Sequence, residues 1–329
     1  MRNIQTHFLA VCSRKLLVLV LIFSSSSMIV KAQDSTAADS PVVKKKSYTK
    51  NTQDSTAADS PVIKKKSYTK NTFSSNYLID EQTVMVPVKG TFEFYIMHRF
   101  GTVNAGISNF FGVFDQANMR FAFTYVPIKD LQIGFGFGNF NMEVDGNVKY
   151  AILKETKDNS MPVSVTYYGL MAMNTTKASS SNYIVTASDR YSYFNQILIA
   201  RKITDKFSVQ AGIAITHFNN VPGFVDSSGK TQPQMQNNNW TFCAGGRYQI
   251  TPGMAFIVNY DQPLTQNLTS NPQPNISFGL EMSTSGHDFQ IFAGNYEYDI
   301  PTENTFFNQN NFRKGQFVIG FNISRLWNF

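Results

Sequence analysis

The sequence predicts an all-β fold, an antiparallel transmembrane β-barrel of about twelve strands. Three observations lead there. The 329-residue chain is 14% aromatic and only 16% charged, where ordinary globular chains run nearer a quarter charged. It carries 29 Phe, yet five of its few Leu (Leu9, Leu16, Leu17, Leu19, Leu21) crowd the N-terminus, and a chain of Phe, Tyr, Val and Ile favours strands. From Gly90 onward, apolar residues recur with period two, and the connections between these segments alternate between tight and long. After residue 32 no apolar run approaches the roughly 18 residues of a spanning helix.

The N-terminus reads as an export signal. Arg14-Lys15 precede the apolar run Leu16–Phe23, and small or apolar residues lead to a cleavage point after Ala32. Eight apolar residues are too few to anchor in a bilayer. Cys12 stands before the run, whereas a lipidated cysteine follows it, so a lipoprotein is not expected. Residues 33–52 and 53–72 are the same twenty residues, with Ile63 in place of Val43. The repeat has no apolar face on which copies could stack, and its Asp, Ser, Thr, Lys and Pro predict a disordered tail. The net charge of +7 resides in these two segments, while residues 73–329 are close to neutral. A basic groove for nucleic acid is therefore excluded as an expectation. Residues 73–89 read as a linker, and 90–329 as the barrel.

Strands are expected near 91–99, 117–126, 131–140, 145–153, 162–172, 191–201, 206–217, 239–249, 253–261, 274–283, 288–296 and 315–326. In Leu131–Gly138, Ile133, Phe135 and Phe137 share one face, and Gln132, Gly134, Gly136 and Gly138 the other. Pro127–Asp130, Lys202–Asp205, Thr251-Pro252 and Thr284–Gly286 read as tight turns, and 173–190, 218–238, 262–273 and 297–314 as long loops. Asn141–Val144 is a brief link on the long-loop side. Short turns at one rim and long loops at the other are how outer-membrane barrels are built, because lipid offers the backbone no hydrogen-bond partner except a closed ladder. An exported β-sandwich alternates similarly. The last residues favour the barrel: Phe317, Ile319, Phe321, Ile323, Trp327 and Phe329 share a parity, which makes Phe329 with Trp327 a candidate assembly signal. Arg325 interrupts that face as an expected interfacial residue.

The stretch Phe94-Tyr95-Ile96-Met97-His98-Arg99-Phe100-Gly101 is followed by Asn109-Phe110-Phe111-Gly112-Val113-Phe114-Asp115, Asn118-Met119-Arg120 and Asp145–Tyr150. It resembles a family of uncharacterised outer-membrane β-barrel proteins from the Bacteroidota. The resemblance is densest over 92–153, implies a barrel in the outer membrane, and carries no assigned activity.

Little in the sequence points to chemistry. His98, His217 and His287 have no metal-ligand spacing, and Cys243, alone after export, reads as buried packing. No catalytic, cofactor or metal site is expected, and no enzyme. His98, the best candidate for a lipid-modifying Ser–His site, shares parity with Phe92, Phe94 and Ile96 and so faces lipid. Glu93 and Arg99, on the opposite face with Tyr95 and Met97, are candidate lumen charges that pair across strands. The expected partners are outer-membrane lipid and the barrel assembly machinery. The expected role is a narrow pore for a small solute whose identity the residues do not reveal, with a closed barrel acting through its long loops as the alternative. Deleting Phe329, or Phe329→Asp, is expected to lower the yield of folded barrel in cells, scored as heat-modifiable migration on gels. Unchanged folding would remove this residue from the assembly signal.

Overall fold

The computed structural model describes residues 67–178 and 184–329. The expected export signal and residues 33–66 of the repeat lie outside the described residues. Twelve strands form a closed barrel: β1 (Thr91–Thr102), β2 (Asn118–Ile128), β3 (Leu131–Gly138), β4 (Glu143–Leu153), β5 (Ser164–Asn174), β6 (Tyr191–Lys202), β7 (Phe207–Phe218), β8 (Asn238–Thr251), β9 (Met254–Pro263), β10 (Asn275–Ser283), β11 (His287–Gly294) and β12 (Val318–Asn328). Each pairs antiparallel with its sequence neighbours. β12 closes the ring on β1, placing Phe321 opposite His98 and Trp327 opposite Phe92. The period-two reading thus locates every strand to within a few residues.

Alternation decides which face meets lipid. Along β1 every second residue from Thr91 is turned inward, while Phe92, Phe94, Ile96 and His98 are turned outward. On β3, Ile133, Phe135 and Phe137 are 41–49% exposed and Gln132 is 3% exposed. The outward rings pair across strands, as in Phe94 with Phe121 at 6.0 Å and His98 stacked on Phe321 at 4.9 Å. Such pairs add to the area they cover. Glycine on the inward face has a different cause. A Cβ on Gly136 would collide with the Arg120 guanidinium and the Asp145 carboxylate, so the missing side chain is what lets that ion pair lie across β3.

The turn rim has one longer connection, 154–163, where Tyr68 forms a bridge to Thr156. At the loop rim, residues 139–142 make the brief link. The loop 103–117 reverses at Gly112 (φ 87°), whose carbonyl accepts from the Gly101 amide at 3.1 Å. A Cβ at Gly112 would strike the Gly101 backbone, which gives these two glycines of the Phe94–Asp115 stretch a physical reason.

The interior departs from expectation. Residues 73–89, read from sequence as a linker, run from the turn rim into the barrel and back, and most of 72–86 is buried. They form a short hairpin in which Tyr77 faces Gln82 and Leu78 faces Glu81, with the reversal at Ile79 (φ 64°) and Asp80. The segment lacks a period-two run of strand length, yet Phe73, Leu78, Ile79 and Val84 pack against Leu198, Ile257, Phe292 and Tyr296 of the wall and loops. From the opposite rim, the loop after β11 folds inward as helix α1 (Pro301–Phe307). Proline at its first turn suits a helix start, and Thr302–Phe306 are all buried.

The outward face predicts its own sensitivity. Phe135→Arg places a charge at the centre of the lipid side of β3 and is expected to cost about 2–4 kcal/mol. Urea titration of the barrel refolded in lipid vesicles measures this, and a neutral result would mean that β3 does not face lipid.

Candidate functional site: the filled lumen

A two-residue ladder leaves most of the inner hairpin's backbone without partners, and buried backbone groups must find them. The wall supplies them. Gln290 Nε2 donates to the Tyr77 carbonyl at 2.9 Å, Asn322 Nδ2 to Ile79 at 2.7 Å, and Gln210 Nε2 to Gln82 at 2.8 Å. Thr166 Oγ1 donates to the Val84 carbonyl at 2.9 Å, and Lys149 Nζ to Asn76 at 3.3 Å. Five different strands therefore hold one hairpin by its main chain. On the other side, Asn239 Nδ2 donates to the Thr305 carbonyl at 2.7 Å, and Thr305 and Thr216 share a hydroxyl bond at 2.6 Å.

The two inserted segments meet. Asn304 Nδ2 of α1 donates to Asp80 Oδ2 at the hairpin tip at 2.7 Å. Arg99, with a side chain 0% exposed, lies 3.9 Å from Asp80 and 3.6 Å from Asp299 of the loop. Its guanidinium also donates to Asn322 at 2.9 Å and lies 4.6 Å from the Phe292 ring centre. One wall cation thus faces an acid from each insert.

Glu93 and Arg99 both face the lumen, as their parity predicts, but their acidic and amide partners come largely from the inserts. Glu93 accepts from Asn76 at 2.5 Å. Cross-strand charge pairs occur at positions that sequence reasoning did not single out: Arg120 grips Asp145 with two bonds of 2.8 Å, and Arg247 donates to Glu281 at 2.7 Å. His98 lies between aromatic rings, and its Nδ1 has no hydrogen-bond partner. Trp327 packs on Phe92 with centroids 5.7 Å apart and under the Arg325 guanidinium at 4.9 Å. Phe329 is 87% exposed.

Charge in the interior is unbalanced. Eleven buried Asp and Glu stand against four buried Lys and Arg among the described residues. Ionised groups out of water are costly unless paired, so several of these acids require protons or cations. Outside the strands, burial pushes the Glu303 carboxyl of α1 up to about 8, opposed by a hydrogen bond from Asn141. Glu143 of β4 faces it.

The sign of the resulting pH effect follows from linkage. Between the ordinary glutamate value and about 8, docked α1 holds a proton that undocked α1 releases, so docking weakens as pH rises through that window. Amides of 301–307 are expected to lose hydrogen-exchange protection between pH 6 and pH 9, after correction for intrinsic rates. Glu303→Gln, neutral throughout, should remove most of that loss. Equal protection at both pH values in the unaltered protein would contradict it.

A likeness to solved barrels accompanies this geometry. The NanC porin matches at TM-score 0.44 and 12% identity, over 72% of this chain and 99% of its own. An outer-membrane channel from Pseudomonas putida F1 matches at 0.42 and 13%, over 74% and 97%, and the KdgM porin at 0.38 and 8%, over 73% and 99%. At such values no property of those proteins transfers to this chain. No curated protein matches it significantly. A family model described as "Membrane bound beta barrel domain (DUF5777)" matches residues 73–327, a span that opens at the inner hairpin and runs through β12. The chain belongs to this family of membrane-bound β-barrels.

Proposed function

We propose that the protein is an outer-membrane conduit for small polar solutes, that the conformation described is its closed state, and that it conducts when the inserts withdraw. The observation that carries this reading is the chemistry of the wall behind the inserts. Arg99, Arg120, Lys149, Asp261 and Glu281 all point inward and are buried. A permanently closed barrel would be at least as stable with an apolar filling, because buried charges seldom repay their desolvation. A polar wall suits a lumen that holds water once its filling leaves. In this reading the N-terminal export signal directs the chain out of the cytoplasm, the turn rim faces the periplasm, and the Asn- and Gln-rich loops face outward.

The number of wall contacts to the hairpin favours a second reading, a closed scaffold acting through its loops. Planar-bilayer recordings separate the two. The unaltered protein is expected to be mostly silent, and a variant lacking residues 73–86 to show discrete conductance steps while keeping heat-modifiable migration. A folded deletion variant that stays silent would overturn the conduit reading in favour of the scaffold.

A further inference from the structure

One cluster inside the lumen is used by neither the barrel wall alone nor the joint between the inserts. Cys243 on β8 and Asp261 on β9 are direct cross-strand partners, and both side chains turn inward and are buried. Glu81 of the hairpin completes the group. One ligand atom from each of the three lies within 4.8 Å of the others. Register therefore fixes two of these groups on the wall, and the insertion of the hairpin delivers the third.

The surroundings are those of a site short of a cation. No ion pair among the described residues reaches Glu81 or Asp261. Gln196 Nε2 donates to Cys243 Sγ at 3.0 Å and also to Glu81, while its buried Oε1 has no partner. Asn275 donates to Asp261 Oδ2 at 3.3 Å, and the Asp261 carboxyl also lies within hydrogen-bond reach of the Glu81 carboxyl. Asn259, two residues before Asp261 on the same face of β9, is 1% exposed, and its Oδ1 has no partner. Its amide interacts with the Asp261 carboxylate. Two carboxylates side by side out of water cannot both stay ionised without a proton or a cation between them. Unpartnered amide oxygens are additional donors for a cation and satisfy nothing if only a proton is shared.

We propose that Glu81, Cys243 and Asp261 bind a divalent transition-metal ion of the zinc class, with an amide oxygen of Gln196 or Asn259 or a water in the fourth position. The donor set selects the metal. A thiolate disfavours magnesium and calcium, which take oxygen ligands, and two carboxylates disfavour copper(I). Zinc accepts one sulfur at about 2.3 Å and oxygens at about 2.0–2.2 Å in a tetrahedron. Its donors would then sit about 3.5 Å apart, which small side-chain rotations reach from the separations present. Binding displaces the thiol proton and any carboxyl proton into solvent, so no other reactant is required. Because Glu81 belongs to the hairpin and the other two to the wall, the ion would fasten the insert to the barrel.

Cobalt(II) provides the test, since a cysteine thiolate bound to it absorbs in the near ultraviolet. Full-length barrel refolded in detergent, stripped with chelator and titrated with cobalt(II), is expected to develop this band at one equivalent and lose it on addition of zinc. Cys243→Ser should abolish the band, and Glu81→Gln, which leaves the wall intact, should weaken cobalt binding at least tenfold. Heat-modifiable migration confirms that each variant is folded. Folded protein that shows no band, or binding that is unchanged in Glu81→Gln, would overturn the proposal and leave the two carboxyls sharing a proton. Neither result depends on conductance, so the site and the conduit reading stand or fall separately.

Discussion

Closing twelve strands creates an interior wider than the wall's own side chains fill, and this space is the constraint on which the rest of the structure depends. In barrels of about eight strands, side chains alone complete the interior. Here the wall is completed by two pieces of the same chain, one entering at each rim. Every feature of the lumen follows from making that filling compatible with a polar wall. Wall amides seek main-chain carbonyls, and the hairpin, with a ladder of only two residue pairs, has carbonyls to offer. Its apolar residues fall where the wall presents Leu198, Ile257 and Phe292.

Arg99 concentrates this compatibility in one side chain. It is buried and lies where hairpin and loop meet. Asp80 and Asp299 approach it at 3.9 and 3.6 Å from opposite inserts. An apolar residue there would leave two acids facing each other out of water, so removing the cation would disturb both inserts together. The same logic, applied to the whole interior, explains why the excess of buried acids is more informative than any single pair. Where cations are scarce, protons or metal ions must take their place.

The lipid face obeys simpler rules. It needs no specific partner, only apolar area and rings that pair across strands. Glycines answer to the inside: Gly136 leaves room for the Arg120–Asp145 pair, and Gly245 for Leu78 of the hairpin. The two faces of a strand therefore carry different kinds of information. The outer face is a composition, and the inner face is a set of contacts.

By itself the sequence determined the barrel class, the positions of all twelve strands, the inward parity of Glu93 and Arg99, and the outward parity of His98. Each of these rests on a period of two residues, which is local and survives in any linear reading. Only the tertiary structure decided what the lumen contains. Polar residues spaced along an inward face look the same whether they meet water or another part of the chain, so Asn322, Gln290 and Gln210 gave no sign of the hairpin they hold. Asn322 bonds a carbonyl 243 residues away, a separation that no local pattern encodes. Residues 73–89 passed for a linker because their apolar side chains fall in two short clusters, Tyr77-Leu78-Ile79 and Val84-Met85-Val86, and do not recur with period two over the length of a strand. The meeting of Glu81, Cys243 and Asp261 was equally hidden: β8–β9 register brings two of them together, but the third comes from the hairpin, far from both in sequence.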